Sequence, residues 1–486
     1  MSTNWINEAR LAYLSHLAQE DATEQEWART LRQYFDGEHP TYLDDRQKEF
    51  IGLKSKNSTY LYAHNLCHLV VAAVVERLHV TGFAPADDKG DGKLADLAAQ
   101  WWNANRMDAK QDELHEAACV DKEAFVIVSW PEGATYPQWH VNGKFDGTAG
   151  VKMHRDPSTG EPTFASKRWQ EWDPAKPNEV GSNTRMTIYH PDIIERYISR
   201  PGMFQKIKIG NVEHVVNWAP YGEPWPLWWT DTGEEDGEPI GLAVISWVNP
   251  GGSEIDDVIP LQDALNKGDL DLLAAQDVSG FRILWASGVQ PNLDSSGNET
   301  SITLKPAELL RLSDPAARLN AIDPADLEKM IRASKYWIES TAGVSRTPQY
   351  LFEALGADQP SGESLKQREV GLISKVERKQ RVFGNAWEDL IYTSARLWNR
   401  HMPGDSVEIT PLQAQWSDPS TQNEKEMLEA AQMKSALGVP DAEIFSELGY
   451  DQAQIERFIT EKQRRQEERD NIGAKLLKSF ETGATE

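Results

Sequence analysis

Cysteine is nearly missing from this 486-residue chain, which holds only Cys67 and Cys119. Two thiols cannot build a disulfide framework, so stability must come from a buried core. A chain of this length can supply one over roughly two to four domains or a single elongated, multi-part subunit. Long apolar runs are missing too: the longest, Leu69 to Val75, falls far short of the roughly 20 residues a membrane-spanning helix needs. Met1 to Glu8 lacks the basic-then-apolar layout of a secretory leader, and with so few thiols this points to a reducing, cytoplasmic setting. Basic charge is scarce, with 50 Lys and Arg against 76 Asp and Glu, a formal −26. That balance argues against tight wrapping of a phosphate backbone, which needs clustered Lys and Arg, but not against a polyanion that must slide. It also favours solubility.

Catalytic signatures fail on inspection. Neither GxxxxGK[ST] nor GxGxxG occurs, so nucleotide hydrolysis lacks a phosphate cradle. His115-Glu-Ala-Ala-Cys119 is half of a zinc-protease helix without its second histidine. His64 and His68 stand at helical spacing with Cys67 between them, yet no third metal ligand can be named, and packing histidines are the simpler account. Asp231-Thr232-Gly233 occurs once, in the acidic loop Asp231 to Glu238, where an aspartic protease needs two carboxylates. No catalytic residue, metal site or cofactor is assigned. The 18 tryptophans are many. As exposed platforms they would suit a carbohydrate-active enzyme with paired carboxylates; as core and interface residues they need no ligand.

What is present is a change of period along the chain. Residues 1–80 read as helical: Trp5, Ala9, Ala12, Tyr13 and Leu17 keep helical spacing, as do Trp27, Leu31, Tyr34 and Phe35, with Gly37 as the stop. Asn65 to Leu78 predicts a buried helix running into a short strand at Phe83, and Leu94 to Asn105 and Asp112 to Lys122 predict two more helices. From Ala124 to Val248 the period becomes two. Phe125–Trp130, Thr163–Trp169, Met186–Tyr189, Ile193–Ile198 and Lys206–Ile209 predict an antiparallel β region with long loops. Pro260 suits the first position of a helix with the stripe Leu261, Ala264, Leu265, Leu272 and Leu273. Phe281–Trp285 and Thr300–Leu304 predict a small β insertion across a polar turn. Asp323 as N-cap, with Pro324 and Asp326 behind it, starts a helix through Trp337 to about Gly343. Residues 421–475 predict two or three further helices, and Glu461 to Asn471 a solvated helix end.

A Gly/Pro/Ser-rich break, Gly356-Ala357-Asp358-Gln359-Pro360-Ser361-Gly362, separates that capped helix from a second one of about forty residues. The stripe of this long helix is Leu365, Leu372, Val376, Phe383, Trp387, Leu390, Ile391 and Trp398. Unbroken, it would reach about 57 Å. Gly371 and Gly384 inside it each cost about 1 kcal/mol relative to Ala and make a bend plausible. From Glu363 to Arg400 it carries eight basic residues (Lys366, Arg368, Lys375, Arg378, Lys379, Arg381, Arg396, Arg400) against five acidic ones. Such a face is solvated, or it meets acidic neighbours or a passing polyanion.

Ser361-Gly-Glu-Ser-Leu365 at the head of the long helix, Pro260-Leu-Gln-Asp-Ala-Leu-Asn266, Phe383-Gly-Asn-Ala-Trp387 and Asn65 to Phe83, together with the order of parts, resemble the portal proteins of long-tailed double-stranded DNA phages. The likeness covers nearly the whole chain and is strongest to the branch infecting actinobacteria. The resemblance implies an elongated α+β portal-type subunit. Its wing would span 1–255 (helical 1–123, β-rich 124–255), its first stem helix 256–280, its β clip 281–322 and its second stem helix 323–347. A tunnel loop would span 348–362, the long helix with a return to the wing 363–420, and a helical crown 421–486.

It further implies a ring of twelve copies at one capsid vertex, through which double-stranded DNA is packaged and ejected without sequence specificity. The implied partners are the chain itself, terminase large subunit, a head–tail connector, and major capsid and scaffolding proteins, with no enzyme activity and no membrane. The chain would reside in the virion, and in the host cytoplasm during assembly. The tunnel loop at Gly356, Ala357, Asp358, Gln359, Pro360, Ser361 and Gly362 would seal loosely around DNA, since Asp358 is its only charge. Lys366, Arg368 and Lys375 become candidate channel-facing basic residues. A Trp-rich carbohydrate-active enzyme and a monomeric capsid adaptor are the alternatives.

Overall fold

Helices and strands follow the two apolar periods along the chain, giving an α+β protein. The computed structural model describes residues 14, 22–40, 64–86, 92–171, 183–200, 202, 205–209, 212–222, 225–226, 240–280, 284–287, 318–321, 326–352, 362–420, 424–448, 450, 454–455 and 457–465. The chain divides into two units. Unit 1 comprises Met1–Glu38, Asn65–Ile259 and Ala342–Glu486, and unit 2 comprises His39–His64 and Pro260–Thr341.

The elements are, in order, α1 (Ala22–Phe35), α2 (Leu66–Val75), β1 (Val80–Pro85), α3 (Lys93–Asn105), α4 (Met107–Asp121), β2 (Glu123–Ser129), β3 (Gln138–Asn142), β4 (Gly150–Arg155), β5 (Pro162–Gln170), β6 (Thr184–Tyr189), β7 (Ile193–Ser199), β8 (Gln205–Ile209), β9 (Val212–Val216), β10 (Ala219–Pro220), β11 (Trp225–Pro226) and β12 (Val244–Val248). They continue with α5 (Ile259–Gly280), β13 (Leu284–Ser287), β14 (Arg318–Ala321), α6 (Leu327–Ser345), a short 3-10 turn at Gln349–Phe352, α7 (Gly362–His401), β15 (Leu412–Trp416), α8 (Glu424–Ala436) and α9 (Asp441–Glu447).

In unit 1, β2 lies between β12 and β3, and β4 to β7 form a meander in a six-stranded sheet ordered β10-β7-β6-β5-β4, with β11 also on β7. These ladders are antiparallel, as the alternating patterns require. β2 is the exception to alternation. Ala124, Val126 and Val128 enter the main core, while Phe125 and Ile127 pack against Val151, Met153 and Ala165 of β4 and β5. A strand buried on both faces reads as a continuous apolar run. α2 is apolar around its circumference for the same reason, and its first turn is capped by the Asn65 side chain, which accepts from the His68 amide at 3.1 Å.

Several elements differ from the sequence expectation. Trp27 is 41% exposed and donates its indole N–H to Asp256 at 3.0 Å, while its stripe partners Leu31, Tyr34 and Phe35 are buried. β13 pairs with β14 at 318–321, and residues 300–304, expected as the insertion's second strand, lie outside the described ones. So do the Asp323 and Pro324 cap, the loop 231–238, and the helix expected at 5–17 apart from Leu14, which packs with Met186, Tyr197 and Trp218. β15, which pairs with β1, was not foreseen; five residues give little periodicity, and the partner is remote in sequence.

The long helix α7 runs 40 residues through both of its glycines. A β-carbon at Gly384 would stand 3.4 Å from the Trp416 indole nitrogen and 3.8 Å from the Ala414 β-carbon, so the glycine lets β15 lie close against the helix. Leu372, Val376, Phe383, Trp387, Leu390 and Ile391 of its stripe are fully buried. At their centre the Trp387 ring meets Trp102 and Trp247, each at 4.9 Å between centroids. The tryptophans numbered 101, 102, 130, 139, 218, 247 and 387 are all buried, so their aromatic surface serves the core.

His115 completes this cluster. Its ring stacks on Phe383, Nδ1 lies 3.0 Å from the Leu78 carbonyl, and Nε2 lies 3.2 Å from the Trp387 indole nitrogen. The neutral tautomer protonated on Nδ1 satisfies both: it donates to Leu78 and accepts from Trp387. Burial pushes the imidazole down from 6.5 to about 3. Below pH 6.5 the unfolded chain therefore binds a proton that the folded chain refuses until about pH 3, and stability falls as pH drops through that window. We expect His115→Gln, whose amide can both donate and accept, to show a urea midpoint less dependent on pH between 6.5 and 4.5 than the parent's. An equal pH slope in the two proteins would contradict this.

Candidate functional site

The segment 353–361, which contains Gly356 to Ser361 of the expected tunnel loop, lies outside the described residues, but both of its flanks are described. On one side Tyr350 sits in the 3-10 turn; on the other Glu369 lies in the second turn of α7, fully buried. The Tyr350 hydroxyl donates to Glu369 Oε1, and Arg77 at the end of α2 reaches the same oxygen at 3.4 Å. Arg77 also donates to the Ala73 carbonyl at 3.0 Å, which fixes its guanidinium against α2. One buried carboxylate thus ties the approach to the loop, the departure from it and a core helix. Removing a single partner from such a group leaves a buried charge uncompensated, at several kcal/mol.

A second carboxylate acts two turns further along. Glu254 accepts from Lys375 on one oxygen and from Lys379 on the other; Lys379 also reaches Asn249, and Lys375 donates to the Ser345 carbonyl at 2.7 Å. The side chains of Lys379 and Glu254 are 1% and 8% exposed. Burial alone would raise the Glu254 carboxyl, but the two ammoniums overcome it and hold it at about 2. Its contribution to stability is complete above about pH 4.5 and is lost as pH falls toward 2. Cys119 stands in the same field with its thiol pushed up to about 12 by burial, which makes it inert as a nucleophile.

The three basic residues singled out from sequence fare differently. Arg368 is exposed, the Lys366 side chain lies outside the described residues, and Lys375 is engaged as above. Nothing in the local spacing separates Lys375 from Arg368, seven residues away on one helix face. The difference lies in Glu254, which the fold brings from another element.

In unit 2 the inner face of α5 is polar. Gln262, Asn266 and Asp269 are buried at helical spacing. Gln262 donates to the His64 carbonyl, Asn266 meets His39 at 2.9 Å, and Asp269 meets His64 Nδ1 at 2.7 Å and accepts from Ser334 of α6 at 2.9 Å. The Ser334 hydroxyl points at the carboxylate and the imidazole meets the carboxylate's other oxygen, so the set fastens α5 and does not activate a nucleophile. His64 is thereby placed against Asp269, and His68 packs its ring 4.8 Å from Phe35. Among the described residues, no group of three or more His, Cys, Asp or Glu could hold a metal ion, and no helix is long and apolar enough to cross a membrane.

The geometry is that of fastening, with buried charges that are paired and hydroxyls that face carboxylates. Residues 15–468 match the family described as "Phage portal protein, SPP1 Gp6-like". The chain belongs to the phage portal protein family. The portal protein of Mycobacterium phage D29 is 26% identical over 463 residues, covering 90% of this chain and 86% of the relative. That of Mycobacterium phage L5 is 26% identical over 404 residues, covering 78% and 74%. Both relatives come from phages of mycobacteria, the actinobacterial branch to which the sequence points. Portal proteins are structural components of the virion.

For this portal chain the Glu369 clasp yields a graded expectation. Glu369→Ala, which strands Arg77, should destabilise unit 1 by about 3–5 kcal/mol in denaturant unfolding, and Tyr350→Phe, which removes one hydrogen bond, by about 1–2 kcal/mol. Equal losses from the two variants would mean that the Arg77 pair carries none of the effect.

Proposed function

We propose that twelve copies of the chain form a ring at one capsid vertex, through which double-stranded DNA is packaged and ejected, and on which terminase and a head–tail connector dock. The observation that carries this reading is the family match across 15–468, which takes in every part of the expected subunit from wing to crown. On this reading α5 and the part of α6 in unit 2 are the stem helices, the β13–β14 hairpin belongs to the clip, 353–361 lies in the tunnel loop, and α8 and α9 contribute to the crown. The Glu369 clasp supports the loop assignment, because an element that touches moving DNA needs a rigid root. ATP hydrolysis is left to the partner motor, in keeping with a chain that has no phosphate loop.

Light scattering on the purified chain should give a mass near twelve times 54.7 kDa, with rings in negative stain. A monomer at every concentration, without rings, would overturn the reading.

A second expectation concerns the channel wall. Lys366 and Arg368 are the first basic residues after the loop, and contacts with phosphate weaken with salt. Lys366→Gln with Arg368→Gln should make packaging less sensitive to ionic strength. The same rate and salt dependence as the parent would remove these two residues from the DNA path.

A further inference from the structure

The main chain leaves unit 1 after Ile259 and re-enters it at Ala342. Just before the exit lies the turn Asn249 to Glu254; just after the return lies the end of α6 at Ser345. Both segments, like α7 itself, belong to unit 1, and both are gripped from α7.

The departing turn has a defined shape. Gly251 and Gly252 hold φ of 108° and 95°, which side chains rarely adopt, and the Asn249 amide closes the turn by donating to the Gly252 carbonyl at 2.5 Å and to Glu254 at 3.2 Å. The returning segment is equally specific. α6 stops at Ser345, Arg346 turns left-handed at φ 56°, and the Thr347 amide reaches back to the Ala342 carbonyl at 3.1 Å. Ser345 has one of the last-turn carbonyls that a helix leaves without an intrahelical donor, and Lys375 supplies that donor at 2.7 Å.

We propose that Lys375 is a positioning residue that couples the two crossings: one ammonium, shared between the departing and the returning segment, makes each hold the other in place. Lys375 and Lys379 are not equivalent in this. Lys379 binds Asn249 and Glu254 and so serves the departing turn alone, whereas Lys375 joins that turn to Ser345. If the Glu254 charge is lost, Lys375 keeps only a carbonyl for its largely buried ammonium, withdraws toward water, and gives up its bond to Ser345. Loosening at one crossing is then transmitted to the other. The coupling belongs to the single chain and holds whether or not rings form.

Amide hydrogen exchange on the full-length chain tests this, read at peptides covering 249–259 and 342–348. Lys375→Met should exchange about tenfold faster at both. Glu254→Gln, which leaves the lysine itself in place, should also accelerate 342–348, and Lys379→Met, which keeps the Lys375 bridge, should act more strongly on 249–259 than on 342–348. Peptides over β4 and β5 report whether each variant keeps the parent fold. Should Lys375→Met fail to fold, Glu254→Gln decides by itself. Parent-like exchange at 342–348 in Glu254→Gln would overturn the proposal, as would acceleration at only one crossing in a folded Lys375→Met.

Discussion

Two carboxylates removed from water, Glu369 and Glu254, fix where the long helix sits, and the parts of unit 1 around it depend on that position. The apolar stripe of α7 supplies adhesion, but the hydrophobic effect is non-directional, and a stripe that recurs every turn looks much the same after a one-turn slip. The charges do not tolerate a slip. A shift of about 5.4 Å would leave Glu369 without Arg77 and Tyr350, at several kcal/mol for the stranded charge, and Glu254 with one lysine in place of two, because Lys375 and Lys379 stand one turn apart. Buried pairs add little net stability compared with well-packed apolar residues, and here their contribution is axial register.

The remainder of the helix is held by a different means. Beyond Phe383 the buried contacts of α7 are aromatic and neutral: Trp387 against Trp102, Trp247 and His115, and Ser394 receiving the Trp139 indole N–H at 2.9 Å. His115 belongs to this half because its two nitrogens are satisfied without a charge. The helix therefore has a charged half near the loop and a dry half away from it. Acid acts on the two through different groups, His115 first as pH falls below 6.5 and Glu254 below about 4.5.

Much of the element order was legible in sequence because burial there is periodic. The stripe from Leu372 to Ile391 predicts α7, the apolar run after Asn65 predicts α2, and period two from Phe125 to Ile209 predicts an antiparallel region. What escaped had its cause elsewhere in the chain. β15 is a strand because β1 is beside it and Gly384 lets it approach; neither is visible in Leu412–Trp416. The polar seam Gln262, Asn266 and Asp269 was in plain view at helical spacing, but a sequence stripe is normally sought among apolar residues, so Leu265 and Leu272 drew attention instead. The loop's root was legible only in part. A Gly/Pro/Ser break between helices marks the loop, whereas the buried state of Glu369 rests on Arg77, nearly three hundred residues earlier.

The same partners change how the charge of the long helix is read. Eight basic residues against five acidic ones suggest a cationic rod, yet Lys375 and Lys379 are turned inward onto Glu254 and Arg396 donates to the Ile240 carbonyl at 3.1 Å. Arg368, Arg378 and Arg381 remain exposed, with Glu377 exposed among them. Among the described side chains, three dispersed exposed guanidiniums are too few to grip a phosphate backbone, whose tight binding rests on many simultaneous contacts. Residues 356–362, which precede them in sequence, carry Asp358 as their only charge. A polyanion passing such a surface would meet weak, separable attractions on a strongly acidic chain. The weakness follows from the helix turning Lys375 and Lys379 inward.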